Sequence, residues 1–170
     1  MPRTPCLAAL LLALALPPAW ADGLSLDLGS NGEGSPYARL GVQRPFESSW
    51  LQSRHGRLTG YWEAAFSYWN AQESRDNYTL SLAPVFVYEF HGSGIRPFVE
   101  AGIGVSAFRH TQLDDHRLGT ALQFEDRLGV GLRLGNGQSL GLRAMHYSNA
   151  GARQPNDGME SYSLFYQWQY

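Results

Sequence analysis

Leu24, Leu26 and Leu28 alternate with Ser25 and Asp27, and this period of two returns along the whole chain. Ala38, Leu40 and Val42 alternate with Arg39, Gly41 and Gln43. Leu58, Trp62, Ala64, Phe66 and Tyr68 alternate with Arg57, Thr59, Glu63 and Ser67. Further apolar stripes run from Leu80 to Phe90, Val99 to Ala107, Leu122 to Leu134, Leu140 to Ala144, and Tyr162 to Tyr170. Successive side chains of a strand point to opposite faces. Eight segments with one apolar face therefore predict eight strands, and no segment after residue 21 carries a helical period. Turn-forming clusters at 29–35, 70–77, 91–94, 109–120, 135–137 and 149–158 separate them. The connection at 45–56 is irregular and longer than a tight turn needs.

The second face carries Arg39, Arg57, Glu63, Glu89, Arg96, Glu100, Glu125, Arg127, Arg133 and Arg143, with glycines and small polar residues between them. A soluble barrel turns the apolar face inward. An outer-membrane barrel turns it to lipid and keeps the polar face inside. Long strands, Tyr and Trp near strand ends and a terminal aromatic, Tyr170, favour the second. The expected fold is all-β: an eight-stranded antiparallel transmembrane β-barrel with a polar, side-chain-filled interior. Eight strands enclose room for side chains only. Interior charges must then pair, because an unpaired one costs on the order of several kcal/mol. Pro84 and Pro97 fall inside strands and predict bulges. Asp126 falls on the lipid-facing parity, which places it near an interface or at a register shift.

Residues 1–21 read as a signal peptide: Arg3, a short apolar run at 7–16, and Ala19-Trp20-Ala21 as the cleavage pattern. Residues 22–170 are then one outer-membrane barrel domain. Cys6 leaves with the signal, so no disulfide or thiolate site is expected. The net charge of −2 gives no basic excess for nucleic acid, and every one of the thirteen lysine-or-arginine positions is arginine. No cluster of metal ligands is visible. Gly102-Gly104 and Gly129-Gly131 lie inside strands and read as space for interior arginines. His55, His91, His110 and His116 lie in connections and read as solvated, with a lipid-headgroup contact as the alternative for His110 and His116.

An even strand count returns both termini to the periplasmic side, with short turns there and longer loops outside. His146, Ser148 and Glu160 then extend the last two apolar stripes at their outer ends. A serine attacks an acyl carbonyl when a base takes its proton and an acid holds that base. Ionisable groups facing lipid are costly and tend to be functional. Shared parity places His146 opposite, or nearly opposite, Glu160. Asn149, Asn156 and the Gly151 amide are candidate oxyanion donors.

The run His146-Tyr147-Ser148-Asn149-Ala150-Gly151, followed by Pro155-Asn156-Asp157-Gly158-Met159-Glu160, resembles the signature of the lipid A 3-O-deacylase (PagL) family. The resemblance implies an outer-membrane barrel of a Gram-negative bacterium whose His–Ser–Glu triad removes the 3-O-linked 3-hydroxyacyl chain of lipid A. Ser148 would be nucleophile, His146 base and then acid, and Glu160 the orienting acid. Asn156 and Gly151 would supply the oxyanion donors, with Asn149 in support. The implied partners are lipopolysaccharide in the outer leaflet and the membrane itself, with no cofactor, metal or nucleic acid. A homodimer is an open alternative to a monomer. Two other classes fit the same pattern: another lipid-modifying barrel (phospholipase or acyltransferase) and a non-enzymatic structural barrel.

Overall fold

The computed structural model describes residues 21–170, so the expected signal peptide lies outside it apart from its last residue. The strands are β1 (Gly23–Asn31), β2 (Pro36–Pro45), β3 (Gly56–Trp69), β4 (Asn77–Phe90), β5 (Arg96–Phe108), the short β6 (Gln112–Leu113) and β7 (His116–Arg117), then β8 (Leu122–Gly135), β9 (Gln138–Ser148) and β10 (Met159–Gln169). Eight of them close into a barrel in the order β1-β10-β9-β8-β5-β4-β3-β2. Every neighbouring pair is antiparallel. β6 and β7 form a hairpin of their own above the wall.

The hydrophobicity is inside out. Ile103 on the outer face is 66% exposed, whereas Arg39, Glu63 and Glu125 on the inner face are at 0%. In water that arrangement would strand the apolar stripes; in a bilayer the hydrocarbon covers them. No helix of the described residues is long and apolar enough to cross a membrane. The lipid-facing strands do the crossing.

The interior is layered. In the middle, Arg39 bridges Glu63 (3.2 Å) and Glu125 (3.0 Å), and Arg127 bridges the same two carboxylates (2.7 and 2.9 Å). Arg143 joins Asp27 (2.5 Å) to Glu100 (2.7 Å). Asp27 is an interior acid beyond the expected set; its parity with Ser25 marks it. Each guanidinium faces two carboxylates, which offsets the desolvation that would make a lone buried charge untenable. Arg57 and Arg133 both reach Glu89 at the rim that carries the termini.

The interior is not polar throughout. Toward that rim lies an apolar layer of Tyr61, Ala83, Val85, Val87, Phe98 and Phe165. At the opposite end Tyr37, Trp69, Phe108, Met145, Tyr147 and Met159 form a plug with Leu113 and Leu118. Segment 109–120 is therefore more than a polar loop, because its hairpin drops two leucines into the barrel mouth. His116 is also buried and bonded to Glu33, not solvated.

Neither proline makes a bulge. Trp62↔Pro84 and Pro97↔Leu132 lie in unbroken register. The β4–β5 ladder drops the pairs between Leu82↔Val105 and Val85↔Gly102 without slipping. Full pairing of β4 to β3 holds the strand in line, and Pro97 sits one residue inside the start of β5, where a missing donor is tolerated. The β8–β9 register shifts at Arg133/Gly135 instead. The strand glycines make room for residues other than arginines: a Cβ on Gly129 would meet the Glu100 side chain at 2.8 Å, and one on Gly131 the Phe98 ring at 2.5 Å.

Candidate active site

β9 and β10 pair with Glu160 directly opposite His146. The inward neighbours Met145, Tyr147 and Met159 are buried in the plug. Alternation then forces His146, Ser148 and Glu160 onto the outer wall. The His146 and Glu160 side chains are 41% and 52% exposed. The imidazole Nδ1 donates to Glu160 Oε1 at 2.9 Å. With Nδ1 held, Nε2 is the ring nitrogen left for a second partner. Ser148 stands on the same face two residues on, opposite Phe124 of β8, and its hydroxyl has no hydrogen-bond partner among the described residues. Nucleophile–base bonds are commonly loose without substrate and close in the complex.

Asp126 stands opposite His146 on β8. With no register shift there, its outward parity is real, and Asp126, His146 and Glu160 form one row across three strands. Only Glu160 is bonded to the imidazole.

The loop 149–158 is stapled by Asn149. Its side-chain amide donates to Leu118 O (2.9 Å) and Arg153 O (2.7 Å), and its backbone N–H donates to Asn156 Oδ1 (3.0 Å). Asn149 is buried with its donors occupied, so it shapes the loop and is not placed to bind an oxyanion. Because Asn156 accepts through Oδ1, its Nδ2 remains the available donor. Gly151, at φ 78°, is exposed, and its N–H bonds to no described residue. Asp157 ties the loop to the plug hairpin: it accepts from Arg117 N (3.0 Å) and Nε (3.1 Å). Those bonds, the backbone one first, hold its carboxyl below the usual range.

Sequence reasoning passed over Gly158. It has φ 71°, and a Cβ there would sit 3.1 Å from His146 Cε1. The motif contains this glycine, but only the fold shows what it spares. Below the row of ionisable residues an apolar trough runs down the outer wall between Leu28, Leu128, Leu142, Ala144, Tyr162 and Leu164. It continues past Val130, Leu132 and Leu140. Ala144 is the small residue next below His146 on that face. Among the described residues no group of three or more His, Cys, Asp or Glu is placed to hold a metal ion.

The model of one protein family, "Lipid A 3-O-deacylase (PagL)", matches residues 36–169. The chain belongs to the lipid A 3-O-deacylase family. It is 54% identical over 149 residues to the lipid A deacylase PagL of Pseudomonas aeruginosa, covering 87% of this chain and 86% of that one. It is 35% identical over 176 residues to the lipid A deacylase PagL of Bordetella bronchiseptica, covering 98% and 96%. A solved structure described as the crystal structure of the outer membrane enzyme PagL superposes with a TM-score of 0.84 at 53% identity, over 87% of this chain and 99% of that one. The PagL fold and membrane setting therefore apply to the whole described barrel, which is an outer-membrane protein.

Proposed function

We propose that Ser148, His146 and Glu160 act as nucleophile, general base and orienting acid, with the Gly151 N–H and the Asn156 amide as oxyanion donors. The chain is a lipid A 3-O-deacylase, an ester hydrolase of the bacterial outer membrane acting on the lipid A of lipopolysaccharide. The observation that carries the residue assignment is the His146–Glu160 hydrogen bond on the lipid-facing wall. A soluble esterase would keep such a pair in a cleft; here it lies where a bilayer-resident ester meets it sideways.

In this reading the acyl chain lies in the trough below Ala144, and its ester carbonyl stands beside Ser148. Nε2 of His146 takes the hydroxyl proton as Oγ attacks the carbonyl carbon. Glu160 stabilises the imidazolium through Nδ1–H, and the oxyanion accepts from Gly151 and Asn156. Collapse breaks the C–O bond to the sugar. His146 returns the proton to the departing 3-hydroxyl, leaving the 3-hydroxyacyl group on Ser148. Water, deprotonated by His146, then releases the 3-hydroxy fatty acid and restores the serine. One chain supplies every group, so a homodimer is not required for the chemistry.

Mass spectrometry of lipid A from cells expressing wild type or Ser148→Ala tests this. Loss of one 3-hydroxyacyl mass with wild type alone is expected. Intact lipid A with wild type, or the same loss with Ser148→Ala, contradicts it. A changed phospholipid profile would point to a different lipid-modifying barrel.

A further inference from the structure

The connection between β2 and β3 does not hang free in the periplasm. Phe46 N–H donates to Gly60 O at 2.8 Å, and Trp50 and Leu58 exchange backbone bonds at 2.7 and 2.8 Å. The segment thus carries the β2–β3 pairing on, antiparallel, along the edge of the start of β3. The Phe46 ring occupies the space a side chain at Gly60 would take; a Cβ there would meet it at 2.5 Å. From this seat Phe46 lies 6.0 Å from Trp50, 6.3 Å from Trp62 and 5.5 Å from Phe86 between ring centroids. Trp62 and Phe86 are part of the exposed outer wall. Leu51, at the tip, is 71% exposed with φ 50°, a left-handed conformation uncommon for a bulky residue. Arg44, opposite Trp62 across the β2–β3 pair, and Arg54, beyond the tip, are both exposed.

We propose that residues 46–51 form a membrane foot: the rings and Leu51 lie in the interfacial zone of the periplasmic leaflet, and Arg44 and Arg54 hold phospholipid phosphates. The patch is continuous with the lipid-facing wall, so the bilayer that covers Trp62 and Phe86 also reaches Phe46 and Trp50. Amphipathic aromatic rings settle at this boundary. Arginine stems cover apolar surface while the guanidinium reaches a phosphate oxygen. The foot lies at the opposite end of the barrel from Ser148. It sets the depth of the barrel in the bilayer and takes no part in the chemistry.

Cys6 is the only cysteine in the sequence, so Leu51→Cys in a Cys6→Ser chain carries a single thiol. The probe is an environment-sensitive fluorophore on that thiol, in vesicles of phosphatidylethanolamine and phosphatidylglycerol containing lipid with a nitroxide near the headgroup. Quenching several times that of the same probe at Ser93→Cys, in the β4–β5 turn at this end, is expected. Equal quenching at the two sites overturns the foot. Energy transfer between differently labelled copies, in place of quenching, assigns the patch to a second copy and overturns it too. Adding Arg44→Gln and Arg54→Gln is expected to lower the quenching; unchanged quenching overturns the phosphate contacts.

Discussion

Tyr147 and Ser148 are neighbours in sequence and stand on opposite sides of the barrel wall. Tyr147 is fully buried in the plug, edge-on to Trp69 at 5.8 Å and to Phe108 at 5.3 Å. Ser148 faces lipid. The packing of the inner residue therefore fixes the direction of the outer one. Tyr147→Ala should cost about 3–5 kcal/mol through the cavity it leaves, and activity should fall with it. Among the described residues the hydrogen bond of the Tyr147 hydroxyl is the long one to the Met145 sulfur, at 3.5 Å. Tyr147→Phe is accordingly expected to keep both stability and activity, as read by thermal unfolding in detergent and by turnover.

Glu160 and Asp126 flank His146 from opposite strands, but only Glu160 is bonded to it. Glu160→Gln should lower kcat by about 100-fold or more, within the range of lost general-base assistance. Asp126→Asn should change it far less. Kinetics of both variants on purified lipopolysaccharide check this; equal losses would mean the imidazole is held from the other side.

Gly158 leaves no slack beside His146. Gly158→Ala adds a Cβ 3.1 Å from His146 Cε1, at a backbone φ of 71° that disfavours it. The ring should tilt from Ser148, and a displacement of about 1 Å can lower turnover on the order of 100-fold. The far-ultraviolet circular dichroism of the barrel should stay unchanged, and kcat should fall more than KM rises.

Asp114 ties three outer loops together. Burial opposes its charge, but hydrogen bonds from the Ser35 hydroxyl and from the Glu73, Gln72 and Ser74 amides outweigh this and hold its pKa at about 2, against an ordinary value of 3.8. A carboxyl depressed on folding stabilises the folded state fully above its unfolded pKa. That contribution is lost as pH falls through the folded value. Hydrogen exchange of the amides of 72–74 should be slow at about pH 5 and lose protection toward about pH 2. Asp114→Asn should show weak protection at both.

The barrel, its inside-out faces and the row holding His146 and Glu160 were legible because strand parity is a strict local rule. The alternation of His146, Tyr147 and Ser148 already contained the site's direction. What parity does not carry is depth along the strand: it could not show that Phe98 and Phe165 form an apolar layer below the charges, or that Leu113 and Leu118 fold back into the mouth. Asp27 was readable and was passed over, being a lone acid on a short strand. Asn149 looked like an oxyanion donor because it follows the proposed nucleophile Ser148 in the sequence. Its actual partners, Leu118 and Arg153, come from loop geometry that no spacing reveals. Pro84 suggested a bulge because proline removes a ladder donor, whereas the unbroken pairing of β4 to β3 keeps the strand in register while the pairs to β5 lapse beside it.

The central claim is that Ser148 is a nucleophile activated from the lipid-facing wall. Labelling the protein in outer-membrane vesicles with a fluorophosphonate, followed by peptide mass mapping, tests it most directly. The expected result is one adduct, on Ser148, abolished in Ser148→Ala and strongly reduced in His146→Ala and Glu160→Gln. An adduct on another residue, or undiminished labelling of Ser148 without His146, would contradict it.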